Sequence, residues 1–144
     1  EDDDYGYLQA IKEAMPTELQ ARVTLLPPDL GARHTKQIVA SCQALVAARL
    51  HCCIAGMSSE VPTLLLSYSP KSIGMAEYVY GNREWLIPVD SDPTVLVSRV
   101  GALLSHADKV RHHLQQRIPS IQEDARQAGA FLRQALTAAA SSAR

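Results

Sequence analysis

Long apolar runs are missing from this 144-residue chain. No stretch approaches the roughly 18 apolar residues that would cross a bilayer. The expectation is a protein without a signal peptide, working in the cytoplasm. Net charge is missing as well. Fourteen basic residues (Lys+Arg 14) against 15 acidic ones leave −1, which excludes a basic nucleic-acid platform and argues against electrostatic membrane binding. Aromatics are 5% of the residues, too few for the stacking surfaces that hold single strands. Cysteine is scarce and badly spaced for pairing. Cys42, Cys52 and Cys53 are odd in number, two are adjacent, and no CxxC occurs, so reduced thiols are expected rather than a disulfide or a zinc site. Neither GxGxxG nor GxxxxGK[ST] is present, which removes the ordinary dinucleotide and P-loop phosphate grips.

What is there reads as globular. Hydrophobic residues reach 47% and charged ones 20%, and a chain of this length buries a core without disulfides or metals. The length suits about one domain. The sequence opens on Glu1-Asp2-Asp3-Asp4 without an initiator Met, and reads as a piece of something longer.

Along the chain, Asp4 suits an N-cap for a helix through Met15, with Tyr7, Leu8, Ile11 and Met15 on one stripe. Four apolar runs read as strands: Val23–Leu26, ended by Pro27-Pro28; Ala44–Ala47; Thr63–Leu66; and Trp85–Ile87. The third is continuous rather than alternating, as in a sheet covered on both faces. Helices are expected between them at Thr35–Cys42, His51–Ser58 and Ser72–Tyr80, the last ended by Gly81. After Asp92-Pro93 the period becomes helical for good, through Leu96, Val100, Leu103, Leu104, Ala107, Val110, Leu114 and Ile118. Pro119 should kink or break this helix, and the Ala/Ser tail from Thr137 to Arg144 should fray. Strands alternating with helices imply an α/β fold, a Rossmann-like parallel sheet over residues 1–92 with a helical extension over 93–144 packed on it.

In an open parallel sheet, ligands bind outside the carboxyl ends of the strands. That edge receives Arg49 and His51 from one strand and Tyr68, Ser69 and Lys71 from the next. His51 also stands at a helix start, where free N–H groups and the dipole favour an anion. Two fixed cations, an imidazole and a helix N-terminus make a phosphate or carboxylate site. The blander reading stays open: Arg49 pairs with a buried carboxylate and Lys71 is a solvated loop charge.

The segment Ala48-Arg49-Leu50-His51-Cys52-Cys53-Ile54-Ala55, followed by Val61-Pro62-Thr63-Leu64-Leu65-Leu66-Ser67-Tyr68-Ser69-Pro70-Lys71, resembles the polysaccharide pyruvyl transferase family. The shared pattern is an RxH after a strand, a small-residue helix, Val-Pro before an apolar strand, and YxxK. It is most specific over residues 44–75 and extends loosely from Asp4 to about Val89. Glu60 departs from it, standing where the family usually has Gly.

The resemblance implies the C-terminal half of a two-domain fold of the GT-B glycosyltransferase type, whose last helix crosses back to the N-terminal domain. It implies transfer of the enolpyruvyl group of phosphoenolpyruvate onto two hydroxyls of a sugar in cell-surface polysaccharide biosynthesis, with release of phosphate. On this reading the acceptor half is missing and this piece alone does not turn over. The partners are phosphoenolpyruvate, a saccharide acceptor (free or lipid-linked) and the missing domain, not nucleic acid. Arg49 grips the carboxylate or phosphate, Lys71 adds a mobile charge, and Tyr68 and Ser69 line the donor pocket or serve the turn. His51 is a general acid for the methylene carbon or a phosphate ligand only. No cofactor or metal is called for. The alternatives are a GT-B glycosyltransferase domain with a nucleotide-sugar donor and a non-catalytic anion- or sugar-binding module.

Other candidates have plainer readings beside them. Asp108, His112 and His113 offer a metal pair on one helix or a solvated face. Cys52 and Cys53 beside His51 are nucleophiles or, on a buried helix, core residues. Asp29 and Asp90 follow the first and fourth strands and orient an acceptor hydroxyl or cap loops.

Overall fold

The computed structural model describes residues 4–142. The elements are α1 (Asp4–Ala14), α2 (Thr17–Gln20), α3 (Gly31–Ala40), β1 (Leu45–Ala47), α4 (Leu50–Met57), β2 (Thr63–Ser67), α5 (Pro70–Tyr80), β3 (Leu86–Pro88), α6 (Pro93–Ser105) and α7 (Ala107–Ser142). The α/β expectation holds. The strands form one parallel sheet in the order β1-β2-β3, with Ala47 beside Leu65 and Ser67 beside Pro88.

The first of the four expected strands is absent. Val23–Leu26 joins no ladder among the described residues. An apolar run becomes a strand only where a neighbour takes its N–H and C=O groups, and here no neighbour does. The chain divides into two compact units, residues 1–37 and residues 38–144. In the first unit no described residue is buried, and Tyr7, Leu8 and Ile11 of α1 stand exposed as an apolar stripe. In the second unit α6 begins at Pro93, where the helical period was expected to take over, and belongs to the same compact body as the sheet.

That body is built around β2. Thr63, Leu64 and Leu65 are fully buried, and because successive side chains leave a strand on opposite faces, both faces of β2 are covered. Gly56 of α4 lies so close to the sheet that a Cβ there would stand 2.5 Å from Thr63 Oγ1 and 2.6 Å from Leu45 Cδ2. Leu103 of α6 and Val110, Leu114 and Ile118 of α7 complete the core.

α5 is fastened at its C-terminal end. Tyr80 Oη accepts from the Thr63 N–H at 3.1 Å and donates to the Thr63 carbonyl at 3.0 Å. A helix leaves its last carbonyls without intrahelical partners, and α7 supplies them. Arg117 donates to the Tyr78 carbonyl through Nε and Nη2, and His113 Nε2 donates to the Val79 carbonyl at 3.0 Å. The Arg117 guanidinium also lies 5.1 Å from the centre of the Tyr78 ring, within cation–π range. Gly81 ends α5 in the left-handed conformation at φ 75°, as its sequence position suggests.

The long helical stretch breaks in a different place from the one its proline suggests. It ends at His106, where the His106 N–H, His106 Nδ1 and Ser105 Oγ all turn to the Ala102 carbonyl. Side chains competing for a backbone acceptor end a helix in this way. Pro119, by contrast, sits inside a continuous α7. Pro119 and Gln115, whose carbonyl loses its donor, are both exposed, so water takes the orphaned bond, while Ile118 and Ile121 hold the helix to the core on either side. α7 remains helical to Ser142, through most of the tail expected to fray, and the remainder lies outside the described residues. From Gln122 to Thr137 every residue is exposed.

Glu60 has φ 61°, the left-handed region, which explains why its position suits Gly. Arg111 of α7 braces that turn, donating to the Glu60 carbonyl at 3.0 Å and the Gln43 carbonyl at 3.3 Å.

Two stability measurements follow from this packing. Gly56→Ala gains up to about 1 kcal/mol of helix propensity but overpacks Thr63 and Leu45, which costs about 1–3 kcal/mol. Net destabilisation is expected in urea unfolding. Glu60→Gly relieves a left-handed cost of about 1–2 kcal/mol against a chain-entropy loss of about 0.5–1 kcal/mol, so the same assay should show an unfolding midpoint that holds or rises.

Candidate functional site

The parallel register brings the three strand ends to one edge. After β1 the chain turns through Arg49, the residue capping α4, so His51 is the second residue of that helix. After β2 it passes Tyr68 and turns through Ser69, the residue capping α5, and Lys71 is the second residue of that helix. The two adjacent βα turns are therefore built alike, each presenting a cation or imidazole at the second position of a helix. Arg49, His51, Tyr68 and Lys71 are exposed and Ser69 is half-buried.

The helix starts differ in what occupies them. α4 and α5 have no side-chain hydrogen bond at their caps, so first-turn N–H groups and the positive end of each helix dipole face outward. Pro70 suits the first position of α5, where an N–H would have no helical partner. α6, after β3, is closed by its own residue. The Asp92 carboxylate accepts from the Thr94 N–H at 2.8 Å, and the Thr94 hydroxyl and N–H hold its carboxyl below the usual carboxylate range. The edge is thus graded, with cations and open helix starts at β1 and β2 and carboxylates at β3.

Serines absent from the sequence-level reading brace the Tyr68–Lys71 turn. Ser72 Oγ donates to the Ser69 carbonyl at 2.8 Å and lies 2.9 Å from Ser67 Oγ. The Ser-Pro-Lys-Ser spacing from 69 to 72 was the available signal, since a hydroxyl three residues past a cap reaches back to it.

No carboxylate is buried among the described residues, and Arg49 itself is exposed. Asp90 is exposed in the loop after β3. Asp29 follows no strand, because Val23–Leu26 does not form one, and it belongs to the other compact unit. His112 Nε2 meets Gln116 Nε2 at 3.0 Å, and His113 serves the α5 carbonyl. No group of three or more His, Cys, Asp or Glu suited to a metal ion occurs among the described residues. Cys52 is half-buried, less enclosed than expected, whereas Cys53 is buried and its thiol donates to the Ala47 carbonyl at 3.3 Å. Burial, reinforced by Cys52, pushes the Cys53 thiol up to about 11, the opposite of what a nucleophile requires.

With this geometry in view, the comparisons with known proteins are direct. Residues 1–70 match the family model for polysaccharide pyruvyl transferase, so the family read from the Arg49–Lys71 pattern is the family found. The match takes in Arg49, His51, Tyr68 and Ser69 and stops one residue short of Lys71. Neither the curated proteins nor the solved structures give a match. Among the described residues, no helix is long and apolar enough to cross a membrane.

The Cys53 environment sets a pH dependence. An unfolded thiol ionises near 9.0, while the folded one keeps its proton to about 11. Below pH 9 both states hold the proton. Above it the unfolded state releases the proton first, so stability should fall as pH rises from about 9 through about 11. Urea unfolding across that range, with Cys53→Ala alongside, should show a steeper fall in the parent chain.

Proposed function

We propose that this chain is the donor-binding part of a polysaccharide pyruvyl transferase that moves the enolpyruvyl group of phosphoenolpyruvate onto a sugar in cell-surface polysaccharide biosynthesis. The observation that carries the reading is the pair of like βα turns. Two adjacent helix starts without side-chain caps stand at one sheet edge with Arg49, His51 and Lys71 around them. A multiply charged anion is what such an arrangement attracts.

In this scheme Arg49 grips the carboxylate or phosphate through its planar fork, and Lys71 adds a movable charge on the phosphate. Tyr68 and Ser69 line the donor pocket between them. His51, as a general acid, protonates the methylene carbon, which becomes the methyl group. The adjacent carbon then accepts one sugar hydroxyl, phosphate departs with its bond electrons, and the second hydroxyl closes the ketal. The two hydroxyl protons return one to the imidazole and one to the phosphate. The chemistry calls for no metal or redox cofactor.

The acceptor side of the cleft, on this reading, belongs to a further domain of GT-B type. The exposed Phe131, Leu132 and Leu136 of α7 support it, since apolar residues on a long unburied helix suit a surface that another domain covers. The reaction would take place in the cytoplasm, at the inner face of the membrane where the acceptor is lipid-linked.

Calorimetric titration with phosphoenolpyruvate tests the site. Arg49→Ala and Lys71→Ala should each weaken binding by about 1.5–3 kcal/mol, the range for hydrogen bonds to charged groups. Equal affinity in the parent chain and both variants would sink the assignment.

A further inference from the structure

A cavity of about 170 Å³ opens at the opposite, amino-terminal edge of the sheet. It lies between the loop leading into β3 and the start of α7, and is lined by Asn82, Glu84, Trp85, His106, Lys109 and His113, with Tyr80 at its base. Trp85 immediately precedes β3, its carbonyl accepting from the Leu65 N–H. None of these residues belongs to the donor edge. The space is of ring size: a cavity of about 150 Å³ holds one six-membered ring, and drug-sized ligands need about 300 Å³ or more.

The hydrogen-bonding groups left over in the wall define the ligand. The Trp85 indole N–H has no partner among the described residues and is not sealed from solvent. Asn82 spends its Oδ1 on the Glu84 N–H and keeps its amide N–H groups. Lys109 makes no ion pair or hydrogen bond among the described residues. On the accepting side, the Glu84 carboxylate has no partner among the described residues. His113 donates through Nε2 to the Val79 carbonyl, so its Nδ1 is the ring nitrogen left to accept, and His106 bonds the Ala102 carbonyl through Nδ1, which leaves Nε2. Donors and acceptors are thus equally represented around two aromatic side chains. An anion uses only the donors and a cation only the acceptors. A hydroxyl uses both, and a ring carrying several hydroxyls uses them together.

We propose that this cavity is a saccharide subsite that holds one sugar ring, separate from the donor edge. The choice of ligand stands on the cavity's own groups. It rests on the proposed function only for the source of the sugar, a residue of the acceptor glycan.

Trp85 is the single tryptophan of the chain, so its fluorescence reads occupancy directly. The whole chain is titrated with the methyl glycosides of glucose, galactose and mannose, and with inorganic phosphate as the anion arm. At least one glycoside should give a saturable change, weakened fivefold or more by Glu84→Gln and by Asn82→Ala and unaltered by Lys71→Ala. Glu84 is exposed and its backbone carries the loop's bonds to Asn82 and Arg99, so Glu84→Gln leaves the fold intact, as circular dichroism will verify. Silence towards all three glycosides overturns the proposal. So does a response to phosphate that Lys109→Ala abolishes, which would make the cavity an anion site. Failure of phosphoenolpyruvate to bind at Arg49 and Lys71 is a separate result and leaves this one standing.

Discussion

The C-terminal turn of α5 is the joint on which the α/β body depends. Tyr80 fastens it to the first residue of β2 through both backbone groups of Thr63, while Arg117 and His113 of α7 take the carbonyls that the helix end leaves open. Burial pushes the Tyr80 hydroxyl up to about 12, so it keeps its proton and goes on both donating and accepting. Arg111 adds a second stitch at the same edge, across the turns before β1 and β2. The donors are charged or fixed by ring geometry, and the acceptors are backbone carbonyls that no other group satisfies. Each bond is modest, but removing one leaves a desolvated partner behind.

Fastening one edge positions the other. α5 spans 11 residues, about 16 Å at 1.5 Å per residue, roughly the depth of the sheet. With its C-terminus bolted at the amino edge, its N-terminus emerges at the carboxyl edge beside that of α4. α4 is located independently, by the close approach of Gly56 to Thr63 and Leu45. The amino edge is tied shut by side chains reaching to backbone, whereas the carboxyl edge keeps two helix starts open. That asymmetry, rather than any one residue, makes the carboxyl edge a place where charge can be bound. The self-capped α6 marks where the binding surface ends.

Much of this was legible in the sequence, for reasons that can be named. The unbroken run Thr63–Leu66 announced a strand covered on both faces, Gly81 announced a helix end, and strands alternating with helices announced parallel pairing. Since a parallel strand delivers its next few residues to the carboxyl edge, Arg49, His51, Tyr68, Ser69 and Lys71 could be assigned there without coordinates. Other features were illegible because they belong to pairs of distant segments. Val23–Leu26 has the composition of a strand, but a strand is a relation to a neighbour. Pro119 signals a break that two flanking isoleucines override, and the real break at His106 comes from three donors meeting at one carbonyl.

The amino-edge cavity was hidden for the same reason, more completely. Its wall draws on residues 80–85 and 106–113, and neither stretch carries a motif. His113 reads in sequence as part of the Asp108, His112 and His113 stretch that offers a metal pair or a solvated face. Only when α7 is laid against α5 does the committed nitrogen of His113 become visible, and with it the uncommitted one. Tyr80 and His113 then hold two offices. Both fasten the joint through one polar atom and present the rest of the ring to the cavity, their centroids 6.1 Å apart. Bonds that rigidify the body therefore fix the tautomer of a wall residue, and a wall whose donors and acceptors are fixed can discriminate among hydroxyl arrangements as a mobile loop cannot.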